Sequence, residues 1–143
     1  MTDPIIRVDG VSKTYPTRDG EIFAVDDISL DVPKGGFVSL LGPSGCGKST
    51  LLLMIAGLLS ASRGGITIDG TTVNRPYTDL GIVFQDANLL DWRSVLKNLL
   101  IQAEVRGMSK ADCESRAHQL LDMVGLNGYA DRFPYELSGG MRQ

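Results

Sequence analysis

The stretch LLGPSGCGKSTLL, from Leu40 to Leu52, constrains the fold of this 143-residue chain more than any other. A short apolar run, FVSLL, leads into it, and a longer one, LLLMIAGLL, follows its lysine. A short continuous apolar run is typical of a strand buried on both faces, whereas a longer run indicates a helix. The sequence therefore predicts a buried strand over Phe37–Leu41, a glycine-rich loop, and a helix from about Lys48 to Leu59.

The loop between these elements fits the spacing G-x-x-x-x-G-K-[ST]. It consists of Gly42, Pro43, Ser44, Gly45, Cys46, Gly47, Lys48 and Ser49, and Thr50 follows. Glycines let the backbone approach an anion without a Cβ clash, and the free N–H groups at the start of the helix then face phosphate oxygens. We predict that Lys48 binds the β- and γ-phosphates, that Ser49 ligates Mg²⁺, and that Thr50 contacts the α-phosphate side.

Both the loop and its cysteine have a plainer interpretation. A glycine-rich turn with a solvated lysine would need neither lysine nor serine at these offsets, so the phosphate-binding interpretation is preferred. Cys46 lies near a helix N-terminus, where a thiol can have a lowered pKa and react. We interpret it instead as a small residue that fits the loop.

Outside the loop, the hydrophobic pattern of the sequence changes at about Gln85. Strand patterns precede that point, and helical patterns follow it. The predicted strands are Ile5–Tyr15, Ile22–Val25, Ile28–Val32, Gly64–Gly70 and a buried strand over Leu80–Gln85, with a hairpin turn at the Asp-Gly of Pro16–Glu21. The predicted helices are Ser94–Val105 and Ser109–Leu126, the second opening with a near capping box and ending close to Gly125. We therefore divide one incomplete domain into a core over residues 1–86 and a helical subdomain over residues 87–143.

Charge and cysteine content exclude several classes of function. The net charge is −3, so no basic field exists to hold a nucleic acid backbone. The two cysteines, Cys46 and Cys113, lie far apart and argue against a disulfide framework. The first ten residues lack the pattern of a signal peptide, so we expect a chain without one.

Three further motifs give the sequence a family resemblance. LSGGMRQ (Leu137–Gln143) resembles the signature sequence of ATP-binding cassette (ABC) ATPases, VFQD (Val83–Asp86) their Q-loop, and KTYP (Lys13–Pro16) the segment with their adenine-stacking aromatic residue. Gly42–Thr50 then corresponds to the Walker A loop. The resemblance implies an α/β fold, with a P-loop NTPase (RecA-like) core, an N-terminal antiparallel β-subdomain and a helical subdomain. We expect it to be C-terminally truncated, since the Walker B strand, catalytic glutamate and switch histidine of the family have no counterpart here.

The resemblance also implies roles for individual residues, each with a simpler alternative. Tyr15 would stack on adenine, or else be a core tyrosine at a strand end. Gln85 would ligate Mg²⁺ with Ser49 and place the attacking water, making it a catalytic residue with Lys48, or else be a solvated glutamine. Ser138, Gly139 and Gly140 would contact the γ-phosphate bound to a second protomer, or else form an ordinary helix cap.

Partners and localisation follow from the same resemblance. The segment Phe84–Leu100 looks like importers of the nitrate, sulfonate, taurine and bicarbonate group, which implies a homodimer of ATPase subunits on transmembrane permease subunits, at the cytoplasmic side of the inner membrane. Trp92 would pack at the permease interface or inside the helical subdomain, and His118 is interpreted as a surface residue. The alternatives are a soluble ABC ATPase without a transport role and a non-catalytic, truncated nucleotide-binding fragment.

Overall fold

A computed structural model describes residues 3–18 and 20–143. The chain divides into two compact units at the boundary between Ile82 and Val83. Each unit has its own hydrophobic cluster. The predicted Asp-Gly turn includes Asp19 and so lies partly outside the described residues.

The first unit is built on an antiparallel sheet. Its strands are β1 (Ile6–Thr17), β2 (Gly20–Val32), β3 (Arg63–Ile68) and β4 (Thr71–Thr72), in the order β2-β1-β3-β4. All three pairings are antiparallel, as predicted for an N-terminal antiparallel β-subdomain. The strands predicted at Ile5–Tyr15 and Gly64–Gly70 are confirmed, whereas Ile22–Val25 and Ile28–Val32 prove to be parts of the single strand β2.

The glycine-rich loop leads into helix α1 (Lys48–Ile55), which packs on this sheet. The buried cluster consists of Val8, Val11, Val25, Leu51, Met54, Ile55, Ile66 and Ile68. The helix begins where the sequence predicts but ends four residues early. Gly57 has a φ of +71° and leaves no room for a Cβ against the carbonyl of Arg75, so the chain turns away from the helix there.

Two predicted buried strands are wrong. Phe37–Leu41 and Leu80–Gln85 have no regular secondary structure. Phe37 is 94% exposed, Leu41 91% and Val83 87%. An apolar run becomes a central strand only when neighbouring strands satisfy its backbone groups and cover both its faces. None of the described residues forms a strand that pairs with either segment.

The second unit is helical. Its helices are α2 (Val95–Leu99), α3 (Ile101–Arg106), α4 (Lys110–Met123) and α5 (Gly139–Arg142), with 3₁₀ turns at Asn127–Tyr129 and Pro134–Glu136. The single helix predicted over Ser94–Val105 is therefore two short helices that meet at Leu100. Val95, Leu121, Ala130 and Leu137 form the buried cluster of this unit.

The ends of α4 bear out one prediction and correct another. Gly125 follows the helix with a φ of +73°, as expected of a helix stop. The Ser109 side chain, however, makes no capping hydrogen bond, so the predicted near capping box is absent. Within residues 3–18 and 20–143, no helix has the length and apolarity needed to cross a bilayer.

Candidate functional site

The start of α1 presents a set of free backbone donors. Gly47 is its N-cap, and the first helical hydrogen bond runs from the Leu51 N–H to the Gly47 carbonyl at 2.9 Å. The N–H groups of Lys48, Ser49 and Thr50 therefore precede the helical hydrogen-bond ladder. They lie at the positive end of the helix dipole, which favours an anion.

The Lys48 side chain folds over the loop that precedes it. Its Nζ donates hydrogen bonds to the carbonyls of Gly42 at 2.8 Å and Pro43 at 2.6 Å, and lies 3.4 Å from the Cys46 Sγ. The loop thus curls around an ammonium group at the start of the helix. A fixed cation beside free N–H groups is an arrangement that suits a polyphosphate.

Gly47 is held against strand β2 by a close backbone contact. Its φ is +92°, and a Cβ built there would lie 2.2 Å from the Ala24 carbonyl oxygen. Ala24 sits at a register shift, because Lys13 pairs with Val25 while Thr14 pairs with Phe23. A bulge in β2 therefore points a carbonyl at the last glycine of the loop, and only glycine fits this approach.

A cavity of about 250 Å³ lies beside the loop. Its lining residues come from β2, from the segment before the loop, from the loop itself and from α1: Phe23, Ala24, Val25, Asp26, Ile28, Leu40, Leu41, Cys46, Gly47, Lys48 and Leu51. Tyr15 pairs with Ile22 in the β1–β2 ladder, one residue before this stretch of β2. Strand β2 therefore connects the predicted base-binding residue with the phosphate loop.

The structure leaves the Tyr15 side chain accessible. The residue is 42% exposed, which excludes the alternative of a core tyrosine. The ammonium of Lys13 lies over its ring, 5.2 Å from the ring centroid. Sequence reasoning overlooked Lys13, although its position in the KTYP motif was visible.

Gln85 lies in the second unit, on an exposed segment without regular structure. Its backbone carbonyl accepts a hydrogen bond from the Gln143 Nε2 at 2.6 Å. The segment VFQD is therefore joined to the last residue of LSGGMRQ, and two of the sequence motifs meet in this unit. The Gln85 side chain remains available, which suits a residue expected to contact ligands.

The signature segment begins a short helix with a serine cap. The Ser138 Oγ accepts a hydrogen bond from the Met141 N–H at 3.3 Å, and Gly139 and Gly140 form the exposed first turn of α5. The serine cap expected of the simpler alternative is therefore present. Capping by Ser138 is compatible with a phosphate contact, because the two glycines expose their backbone to solvent.

The turn before the signature is held by Glu136, a residue that sequence reasoning missed. Its Oε2 accepts from the Phe133 N–H at 2.7 Å and its Oε1 from the Arg132 guanidinium at 3.0 Å. These two hydrogen bonds, the backbone one first, lower the pKa of the Glu136 carboxyl. The sequence signal was a glutamate three residues after Phe133, the spacing of a capping residue.

Trp92 lies on a loop that Asn98 and an ion pair between Arg93 and Glu104 hold. The Asn98 Oδ1 accepts from the Leu90 N–H at 2.8 Å, and its Nδ2 donates to the carbonyls of Leu90, Arg93 and Ser94 at 3.0–3.1 Å. Trp92 itself is 76% exposed, which excludes burial inside the helical subdomain. The loop therefore presents a large aromatic side chain on a fixed backbone.

The remaining candidate residues are a histidine and two cysteines. His118 is exposed, as predicted, and the two cysteines are free thiols. The described residues include no cluster of three or more His, Cys, Asp or Glu side chains that could hold a metal ion. Magnesium needs no such cluster when phosphates and water complete its shell.

Comparison with known proteins shows which family this chain resembles in sequence. The profile of the ABC transporter family matches residues 25–143. The chain is 48% identical to the taurine import ATP-binding protein TauB of Rhizobium johnstonii, over 97% of this chain and 53% of TauB. It is 43% identical to the nitrate import ATP-binding protein NrtC of Synechococcus elongatus, over 87% of this chain and 19% of NrtC.

A solved structure gives the same result. A dimeric ATP-binding cassette in a post-hydrolysis state with ADP and Pi aligns with a TM-score of 0.83 and 31% identity, over 96% of this chain and 65% of that one. The predicted fold class is thereby confirmed. The chain spans about half the length of TauB and less of NrtC.

Proposed function

The chain belongs to the ABC transporter family, and we propose that the protein containing it is the ATP-binding and ATP-hydrolysing subunit of an importer. The observation that carries this proposal is the loop at the start of α1, where the Lys48 ammonium lies against the loop carbonyls and the first N–H groups of the helix have no helical partner. This arrangement suits the triphosphate tail of ATP. The family and the cassette with bound ADP and Pi support the same ligand.

We assign the nucleotide contacts as follows. The backbone of Gly42–Gly47 wraps the phosphates, Lys48 neutralises the β- and γ-phosphates, and Thr50 contacts the α-phosphate side. Ser49 and Gln85 would hold Mg²⁺, which when bound neutralises charge on the transferred phosphoryl group. Lys48 and Gln85 are the catalytic residues of this proposal, the second by placing the attacking water. The exposed ring of Tyr15 stacks on the adenine.

The proposed assembly is a dimer of ATPase subunits. Each nucleotide would contact the Gly42–Thr50 loop of one protomer and Ser138, Gly139 and Gly140 of the other. A glycine pair at a helix start is suited to this contact, because no side chain blocks the approach of a phosphate to its backbone N–H groups. The dimeric state of the similar cassette supports this arrangement.

The proposed transport partners are transmembrane permease subunits at the cytoplasmic side of the inner membrane. The exposed Trp92, on its fixed loop, is a suitable contact for them. The names of the taurine and nitrate import relatives support a small anion as the transported substrate. The cargo itself would be chosen by the permease and a binding protein rather than by residues of this chain.

The hydrolytic step requires groups that we did not find in these residues. The sequence holds no acidic pair after a predicted buried strand that would serve as Walker B aspartate and catalytic glutamate. We therefore propose that the 143 residues alone hydrolyse ATP negligibly while binding it. A turnover rate near that of intact family members would contradict this.

The test of the binding proposal is calorimetric titration with ATP and Mg²⁺. Lys48→Ala should weaken ATP binding by about tenfold to a hundredfold, since a charged hydrogen-bonding partner is removed. Lys34→Ala, at an exposed lysine in a turn of the same unit, is the matched control and should bind as the wild type does. Failure of the folded wild-type chain to bind ATP at millimolar concentration, or wild-type affinity in Lys48→Ala, would refute the proposal.

A further inference from the structure

Lys13 contacts both the ring of Tyr15 and the backbone after α1, and the nucleotide proposal gives it no role. Its Nζ lies 5.2 Å from the centroid of the Tyr15 ring, within the range of about 6 Å for a cation–π contact. The same Nζ donates a hydrogen bond to the Ser60 carbonyl at 2.8 Å. The ammonium is therefore held between a backbone oxygen and one face of an aromatic ring.

The strand around Lys13 is also tied to the segment that follows α1. The Thr14 N–H donates to the Ser62 Oγ at 3.1 Å, and the Ser62 N–H donates to the Ser12 carbonyl at 2.8 Å. Residues 12–15 of β1 are thus connected to residues 60–62. The strand segment that carries Tyr15 is therefore tied to the chain just after the C-terminal end of α1.

We propose that Lys13 is a positioning residue for the base of the nucleotide. Its ammonium holds one face of the Tyr15 ring and leaves the opposite face for adenine. The ring is 42% exposed and would otherwise lose rotational freedom when a base stacks on it. Holding it beforehand removes that entropic cost of binding. This inference rests on the proposed nucleotide function and adds a determinant of base affinity to it.

The prediction separates base recognition from phosphate recognition. We would measure the affinity for ATP and for inorganic tripolyphosphate, both with Mg²⁺, by calorimetry on the whole chain. Lys13→Met keeps a long apolar side chain but removes the charge, and should weaken ATP binding about fivefold. Tripolyphosphate affinity should stay within about twofold of wild type, and Lys13→Arg should restore ATP affinity, because a guanidinium also binds an aromatic face.

A double-mutant cycle with Tyr15→Leu tests the route through the ring. In that background Lys13→Met should have no further effect on ATP affinity, because the ring through which it acts is gone. The inference would be overturned if Lys13→Met weakened the binding of ATP and of tripolyphosphate equally. It would also be overturned if Lys13→Met weakened ATP binding in the Tyr15→Leu background. Either result would show that Lys13 acts through its contact with Ser60 and not through the ring.

Two other outcomes distinguish the positioning role of Lys13 from the proposed nucleotide function. Unchanged ATP affinity in Lys13→Met, or in Tyr15→Leu alone, would overturn the positioning role while leaving the phosphate site intact. A wild-type chain that bound neither ATP nor tripolyphosphate would instead refute the proposed function, and this inference with it.

Discussion

Replacing Gly47 by alanine tests whether the close approach of β2 shapes the phosphate loop. The new residue would have to adopt a φ of +92°, and its Cβ would lie 2.2 Å from the Ala24 carbonyl oxygen. A left-handed conformation costs a non-glycine residue about 1–2 kcal/mol. Forcing a methyl group into a packed site adds about 1–3 kcal/mol. We therefore expect a loss of about 2–5 kcal/mol in the free energy of unfolding.

Gly45→Ala is the matched control for this substitution. Gly45 also has a positive φ, +81°, but a Cβ there would meet nothing within 4 Å. Only the conformational term applies, partly offset by the reduced entropy of the unfolded chain, so we expect a loss of about 1 kcal/mol. The difference between the two variants isolates the contact with Ala24.

The assay is urea unfolding of both variants, followed by circular dichroism. With a slope of about 1–3 kcal/mol per molar urea and a steric term of about 1–3 kcal/mol, Gly47→Ala should lower the midpoint by roughly 0.3–3 M relative to Gly45→Ala. Calorimetry with ATP would show whether the loop is displaced as well. Equal urea midpoints for the two variants would refute this reasoning, because they would mean that the Ala24 carbonyl does not clash with a methyl group at position 47.

Three shorter predictions concern other parts of the chain. Asn98→Ala should lower the fluorescence anisotropy of Trp92, the only tryptophan in the sequence, because the loop loses the four hydrogen bonds made by the Asn98 side chain, whereas Asn127→Ala should leave it unchanged. The pKa of Glu136 is lowered from its ordinary 4.5, so its stabilising contribution is present above that pH and is lost as the pH falls through the lowered value. Glu136→Gln should therefore lose less unfolding free energy than the wild type between about pH 5 and pH 3, measured by urea unfolding. An equal loss in the two proteins would show that Glu136 does not stabilise the fold through its ionised carboxyl. Phe37→Ser should change the free energy of unfolding of this chain by no more than about 0.5 kcal/mol, because the side chain is 94% exposed, and a loss of several kcal/mol would show that Phe37 is buried after all.

The sequence was most informative where structure depends on neighbouring residues. The start of α1 follows from the run of glycines before Lys48, since backbone conformation and free helix N–H groups are local properties. The same holds for the helix stop at Gly125, and the serine cap at Ser138 was the simpler alternative to the predicted phosphate contact. The fold class was also predictable, because the order of motifs along the chain carries the family resemblance.

The tertiary structure decided everything that depends on partners distant in sequence. Hydrophobicity alone predicted a buried strand over Phe37–Leu41, but a strand needs neighbours to pair with its backbone, and the described residues supply none. The bulge that brings Ala24 against Gly47 and the hydrogen bond from Lys13 to the Ser60 carbonyl have no local signature either. Such contacts form only when separate elements pack together, because the atoms that define them come from different elements of the chain.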